Sequence, residues 1–231
     1  MPSMMFVFFV FFISLYHMLA AGNNVAKVTM MRGEAKIKLK GSDKTSNLKI
    51  NDWVQEESMI QTAAKSFVRL TFNDQSQANL GPNSKLVVNN FPKDGPGMIS
   101  VIEGQLRAKI EKDPLKGEQE NKVVVTTRTA AMGVRGTDFQ VLFNGENNVT
   151  SLLTFEGNVA MNKVDNGLGM DLRAVESSVS SSDAVAVTAG QFSGSSPSMD
   201  VATVPVKISP AQFGSMKNND TLESSTASSK K

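Results

Sequence analysis

The chain has 231 residues, 24 basic and 22 acidic, with 40% hydrophobic residues, a single histidine and no cysteine. That length suits one globular domain with appendages. The near balance of charge argues against nucleic acid, whose binders carry a basic stripe interleaved with aromatics; the missing cysteine removes disulfides, thiol catalysis, iron–sulfur clusters and thiolate-bound zinc.

Met4 to Leu15 is an almost unbroken apolar run, followed by Tyr16, His17 and the small residues Ala20, Ala21 and Gly22. About a dozen apolar residues closed by small ones form the pattern of a secretory signal peptide, cut near Ala21 or Gly22. No Lys or Arg precedes the run, which departs from that pattern. The alternative is an uncleaved hydrophobic helix, because the segment approaches the ~20 residues needed to span a bilayer. Ser14, Tyr16 and His17 weaken its end, and Lys27 and Arg32 follow it rather than precede it, so cleavage is favoured. His17 is the only histidine, and a cleaved chain keeps none for acid–base work or metal binding.

From Asn23 to Asn162 the apolar pattern has period two. Ile37 and Leu39 alternate with Lys36, Lys38 and Lys40, which read as one solvated face; Val68, Leu70 and Phe72 alternate with Arg69 and Thr71; Phe139, Val141 and Phe143 repeat the arrangement. Turn formers such as Gly41-Ser42-Asp43, Asn73-Asp74-Gln75-Ser76 and Asn144-Gly145 bound these runs. The expected fold is all-β, an antiparallel sandwich or roll of short strands, with an N-terminal hydrophobic helix and a disordered C-terminal tail. Outside the N-terminal segment no long window has helical periodicity. Three glycines, Gly33, Gly104 and Gly157, each precede an alternating strand and predict three sheet corners of similar geometry.

The centre of the pattern is Val123-Val124-Val125 leading into Thr127 to Val141, where Gly133 and Gly136 bracket Val134 and Arg135 and suggest a sharp turn. The step Val134-Arg135-Gly136-Thr137-Asp138-Phe139 resembles the V-R-G-T-x-F signature of FecR-like domains. Further pieces follow the same family order: Gly33-Glu34-Ala35, Leu48 to Val54, Ile60-Gln61-Thr62, Leu70 to Ser76, Ser84-Lys85-Leu86 and Ile102 to Leu106. Asn51 and Gln75 stand where the family has glycine. Asn tolerates the left-handed conformation, whereas Gln does so poorly, which predicts another turn type for the Phe72–Ala78 hairpin. The resemblance is to the extracytoplasmic β-domain alone, because only Met1, Pro2 and Ser3 precede the apolar run and leave no sigma-factor-binding segment.

Beyond Asn162, residues 163–183 read as a flexible insertion within a hairpin closed by a strand at Ala184 to Gln191. The remaining divisions are a signal peptide or anchor at 1–22, the β-domain at 23–192, an edge strand and loops at 193–214, and a disordered tail at 215–231.

Arg135 either presents its guanidinium to a partner or folds onto turn carbonyls or Asp138; the second is favoured. Asp52 and Asp74 are expected in turns rather than on a metal. Trp53 and Phe91 are possible partner contacts, with Trp53 favoured as a core residue. Glu56 and Glu57 are adjacent and point apart on a strand, and Gly133 to Gly136 lacks the Lys-Ser/Thr of a phosphate loop. The motif residues Gly133, Val134, Arg135, Gly136, Thr137 and Phe139 are read as structural. No catalytic, cofactor or metal residue is identified. Asn148 and Asn219 begin glycosylation sequons relevant only in a eukaryote. The resemblance implies an exported, non-catalytic bacterial module in the periplasm, cell envelope or outside the cell, binding a protein or envelope component, with membrane contact only through an uncleaved N-terminal segment. A membrane-anchored sensor acting through a cytoplasmic partner is the alternative, ahead of an envelope polysaccharide-modifying enzyme.

Overall fold

A computed structural model describes residues 23–92, 95–112 and 121–218. The expected N-terminal helix and most of the expected tail lie outside these residues. The described strands form one open, 17-stranded mixed sheet, in which the long strand β9 (Gly97–Lys109) belongs to two ladders.

Ladder A runs β4 (Trp53–Gln55), β1 (Asn24–Arg32), β6 (Phe67–Phe72), β7 (Gln77–Leu80), β9, β12 (Asp138–Asn144), β13 (Val149–Glu156), β16 (Gln191–Ser195) and β17 (Val206–Lys207). Ladder B runs β3 (Thr45–Asn47), β2 (Ala35–Lys38), β5 (Ser58–Thr62), β8 (Lys85–Val88), β9, β10 (Val123–Thr126), β11 (Ala130–Val134), β14 (Asn158–Lys163) and β15 (Val185–Thr188). Thus the all-β expectation is met, but the pairing is mixed. β10 lies parallel to β9, with Val123 opposite Gly97 and Thr126 opposite Ser100.

Period two explains which faces meet. Val68, Leu70, Phe72, Phe139, Val141 and Phe143 are buried, as their alternation predicts, and they join Val28, Ile37, Ile60 and Leu86 in one core cluster drawn from both ladders. Full burial of a side chain of this size contributes roughly 1.5–3 kcal/mol before entropy is subtracted. Lys36 and Lys40 are exposed, but Leu39 is 41% exposed because β2 ends at Lys38.

The insertion does close a hairpin, β14 with β15, but it is not without regular structure. It carries helix α1 (Leu172–Val179), capped by Asp171, whose Oδ1 accepts from the Ala174 amide at 2.8 Å. Val175 and Val179 pack on Met98, Val124 and Ala131 across the outer face of ladder B. A second helix, α2 (Pro210–Asn218), occupies residues expected as loop and tail. Both were hard to read from pattern because a short helix offers only one or two apolar turns.

Candidate functional site

The V-R-G-T step is the crossing from β11 in ladder B to β12 in ladder A. Val134 is fully buried, Arg135 half-buried and Phe139 fully buried. Of the two bracketing glycines only Gly136 turns the chain, at φ 54°; Gly133 lies within β11. A Cβ on Gly133 would come within 2.6 Å of the Asn121 side chain, so that glycine serves close packing.

Thr137 fixes the crossing. Its Oγ1 lies 2.9 Å from the Arg135 carbonyl and 3.0 Å from the Asn158 carbonyl, which share its one hydrogen, and the Ile110 amide donates to the Thr137 carbonyl at 2.9 Å. Asp138, offered by the sequence as a partner of Arg135, is held by Arg107 instead. Arg107 Nε donates to Oδ1 at 3.1 Å and Nη2 to Oδ2 at 3.0 Å, with both side chains only 13% exposed. The cross-strand register that places Arg107 opposite Gln140 and beside Asp138 makes this pair, and no local spacing reveals it.

The same corner is built three times. Gly33, Gly104 and Gly157 have φ of 73°, 82° and 80°, and each stands where the chain passes from one ladder to the other. Each faces a hydroxyl that follows a left-handed residue: Ser66 after Lys65, Ser84 after Asn83, Thr137 after Gly136. The hydroxyls donate to the carbonyls of Ala64, Pro82 and Arg135, in each case two residues back. Ser66 and Ser84 also accept from the Glu34 and Gln105 amides at 2.9 Å. Hydrogen bonds of this kind contribute about 1 kcal/mol each and fix the direction in which each strand leaves its corner. The sequence pointed to the glycines; the matching hydroxyls were missed, although Lys65-Ser66, Asn83-Ser84 and Gly136-Thr137 all precede strands.

The other candidates separate. Phe91 stacks on Phe72 at 4.7 Å and packs against the core, while its amide donates to Glu56 Oε1 at 2.7 Å. Trp53 is a correction: it is 50% exposed, not buried, because it points outward from β4 at the free edge of ladder A. Asp52 accepts from the Lys49 amide, and Asn51 is left-handed at φ 73°, both as expected of a turn. Gln75 is a second correction. It is left-handed at φ 68°, held there by Asp74, which accepts from the Ser76 amide and hydroxyl.

Burial raises the pKa of Asp74, but the Lys122 ammonium, then the Ser76 amide and hydroxyl, outweigh it and hold the carboxyl below its ordinary value. The Lys217 ammonium likewise lowers that of the exposed Glu156. Glu56 and Glu57 do not act together, since Glu57 is ion-paired with Lys40. Among the described residues, no group of three or more His, Cys, Asp or Glu is placed to hold a metal ion. Arg107 also lies 4.3 Å over the Phe155 ring and donates to the Lys217 carbonyl at 3.0 Å, joining α2 to ladder A; Phe213 completes the contact at 5.9 Å from Phe155.

Residues 58–160 match the protein family described as "FecR protein". The fold resembles two crystal structures, at 1.65 and 2.50 Å resolution, of a protein named as a candidate anti-sigma factor from Parabacteroides distasonis ATCC 8503. Each has 12% sequence identity and a TM-score of 0.50 over 70% of this chain, which spans 65% and 64% of the two solved chains. No curated protein sequence matches.

Proposed function

We propose, from a chain that carries a FecR domain over residues 58–160, that this is a non-catalytic FecR-type regulatory or binding module exported from the cytoplasm, where it engages a protein partner in the periplasm or cell envelope. The family match is the observation that carries this reading. Asp52, Asp74, Glu56, Glu57 and Asp138 are held in turns, hydrogen bonds and ion pairs, which supports a non-catalytic role. We read the two ladders as the layers of a roll, with residues 23–192 as the domain and its free edges and outer faces as the surfaces left for recognition. Recovery of the full chain with its cross-linked neighbours from envelope extracts tests this. The expected result is one protein retrieved repeatedly; glycan retrieved alone contradicts it.

A membrane-anchored form has a specific observation in its favour. The exposed Trp53 lies opposite Lys27, three residues from the start of β1, and the apolar run Met4–Leu15 stands just ahead of that strand in sequence. Among the described residues no helix is long and apolar enough to cross a membrane, and we assign the anchor to residues 1–22. N-terminal sequencing of the mature protein separates the forms: an intact Met1 marks the anchor, a start near residue 22 or 23 the cleaved module.

A further inference from the structure

Among the described residues β4 is an edge strand of ladder A, and it is apolar where an ordinary edge would be polar. Trp53 is 50% exposed, Ile50 in the preceding turn 51%, and Met30 on the adjoining β1 37%. The Asn51 amide donates to the Val28 carbonyl and places that turn beside β1. These three side chains therefore follow one border of the sheet. Edges exposed to water are normally protected by charge, bulges or cover.

Two lysines and one carboxylate, Asp52, border the indole, so the local balance of charge is positive. Lys27 Nζ lies 5.7 Å from the Trp53 ring centroid, and Lys49 is exposed in the turn before Ile50. Asp52 stays in this turn, accepting from the Lys49 amide, whereas Glu56 is turned to the Phe91 amide and Glu57 to Lys40. An indole flanked by ammonium groups suits the boundary between acyl chains and anionic headgroups.

The chain itself leads there. Asn24 begins β1 opposite Gln55, and Lys27, opposite Trp53, follows about 10 Å further on at ~3.3 Å per residue. The apolar segment ending in Ala20-Ala21-Gly22 is two residues from Asn24, a span of at most about 7 Å. We propose that the β1–β4 edge rests on the anionic headgroup layer of a lipid bilayer, with Trp53 in the interfacial zone, Lys27 and Lys49 toward lipid phosphates, and residues 1–22 as the tether. The proposal rests on the anchored form of the reading above.

Trp53 is the only tryptophan, so its fluorescence reports this edge alone. The full chain is reconstituted into phosphatidylcholine vesicles containing phosphatidylglycerol. The chain is expected to float with the vesicles, its emission to shift to the blue, lipids brominated near the headgroup end to quench it, and acrylamide to lose access. Lys27→Glu with Lys49→Glu, or phosphatidylcholine alone, is expected to reverse much of that protection. A chain that floats while Trp53 stays open to acrylamide and untouched by brominated lipid overturns the contact but leaves the partner-binding reading standing. Protection that depends on protein concentration overturns it in favour of a second copy, and protection only after addition of the recovered envelope protein overturns it in favour of that partner. A mature chain starting at residue 22 or 23 removes the tether and overturns it as well.

Discussion

At the Gly136–Asp138 corner the polar groups bond back onto the fold, whereas at the β1–β4 edge the large side chains face outward. Thr137 bonds two carbonyls, Asp138 holds Arg107, and a side chain on Gly136 would run into Lys112. At the edge, Trp53 and Ile50 each keep about half their surface exposed. Thr137 and Gly136 of the V-R-G-T step thus bond and pack within the fold, and the exposed edge carries no comparable signature. A motif recognisable by its glycines and hydroxyls is recognisable because backbone geometry demands those residue types.

The comparison breaks most visibly at the ion pair. Asp138→Ala leaves Arg107 largely buried without its carboxylate, and loss of one partner of such a pair costs about 3–5 kcal/mol. Urea denaturation followed by circular dichroism is expected to show a loss of that order. The glycines come next. In Gly104→Ala the new Cβ would stand 2.6 Å from the Ser84 Cα in a left-handed backbone, whereas at Gly41, also left-handed, nothing lies within 4 Å. Strain and crowding together predict about 2–4 kcal/mol for Gly104→Ala, against about 1 kcal/mol for Gly41→Ala. Equal losses at the two sites would mean that the corner is not tightly packed.

Acidification sharpens the contrast further. The folded pKa of Asp74 lies below its unfolded value, so the stability it supplies is complete above the unfolded value near 3.8 and is lost as pH falls through the lowered folded one. Asp74→Asn is expected to flatten the acid limb of the stability profile without changing Trp53 emission. The smallest effect belongs to the edge itself. Trp53→Ser is expected to change stability by no more than about 0.5 kcal/mol, the range for exposed positions outside special features. A larger loss would return Trp53 to the core.

Much of the frame is legible in the sequence because its signals are local. Alternation identifies the strands whose inner faces form the core, and Gly33, Gly104 and Gly157 identify the corners. What escapes depends on partners far along the chain. Arg107 meets Asp138 only through the β9–β12 register, β10 pairs with β9 in parallel, and among the described residues β4, which carries the exposed Trp53, pairs only with β1. Gln75 shows a local rule overridden: Asp74 and Ser76 bind the turn strongly enough to hold a glutamine left-handed. The helices escape for another reason. Each is short, and α2 is held by one aromatic contact and the Arg107 and Lys217 bonds rather than by an apolar face.

We propose that the signature corner builds the domain and does not itself recognise the partner. Arg135→Ala tests it most directly, with chemical stability and recovery of the envelope partner measured on the same preparation. A lowered denaturation midpoint with partner recovery intact under conditions where the chain stays folded is the predicted result. Unchanged stability with the partner lost would contradict it.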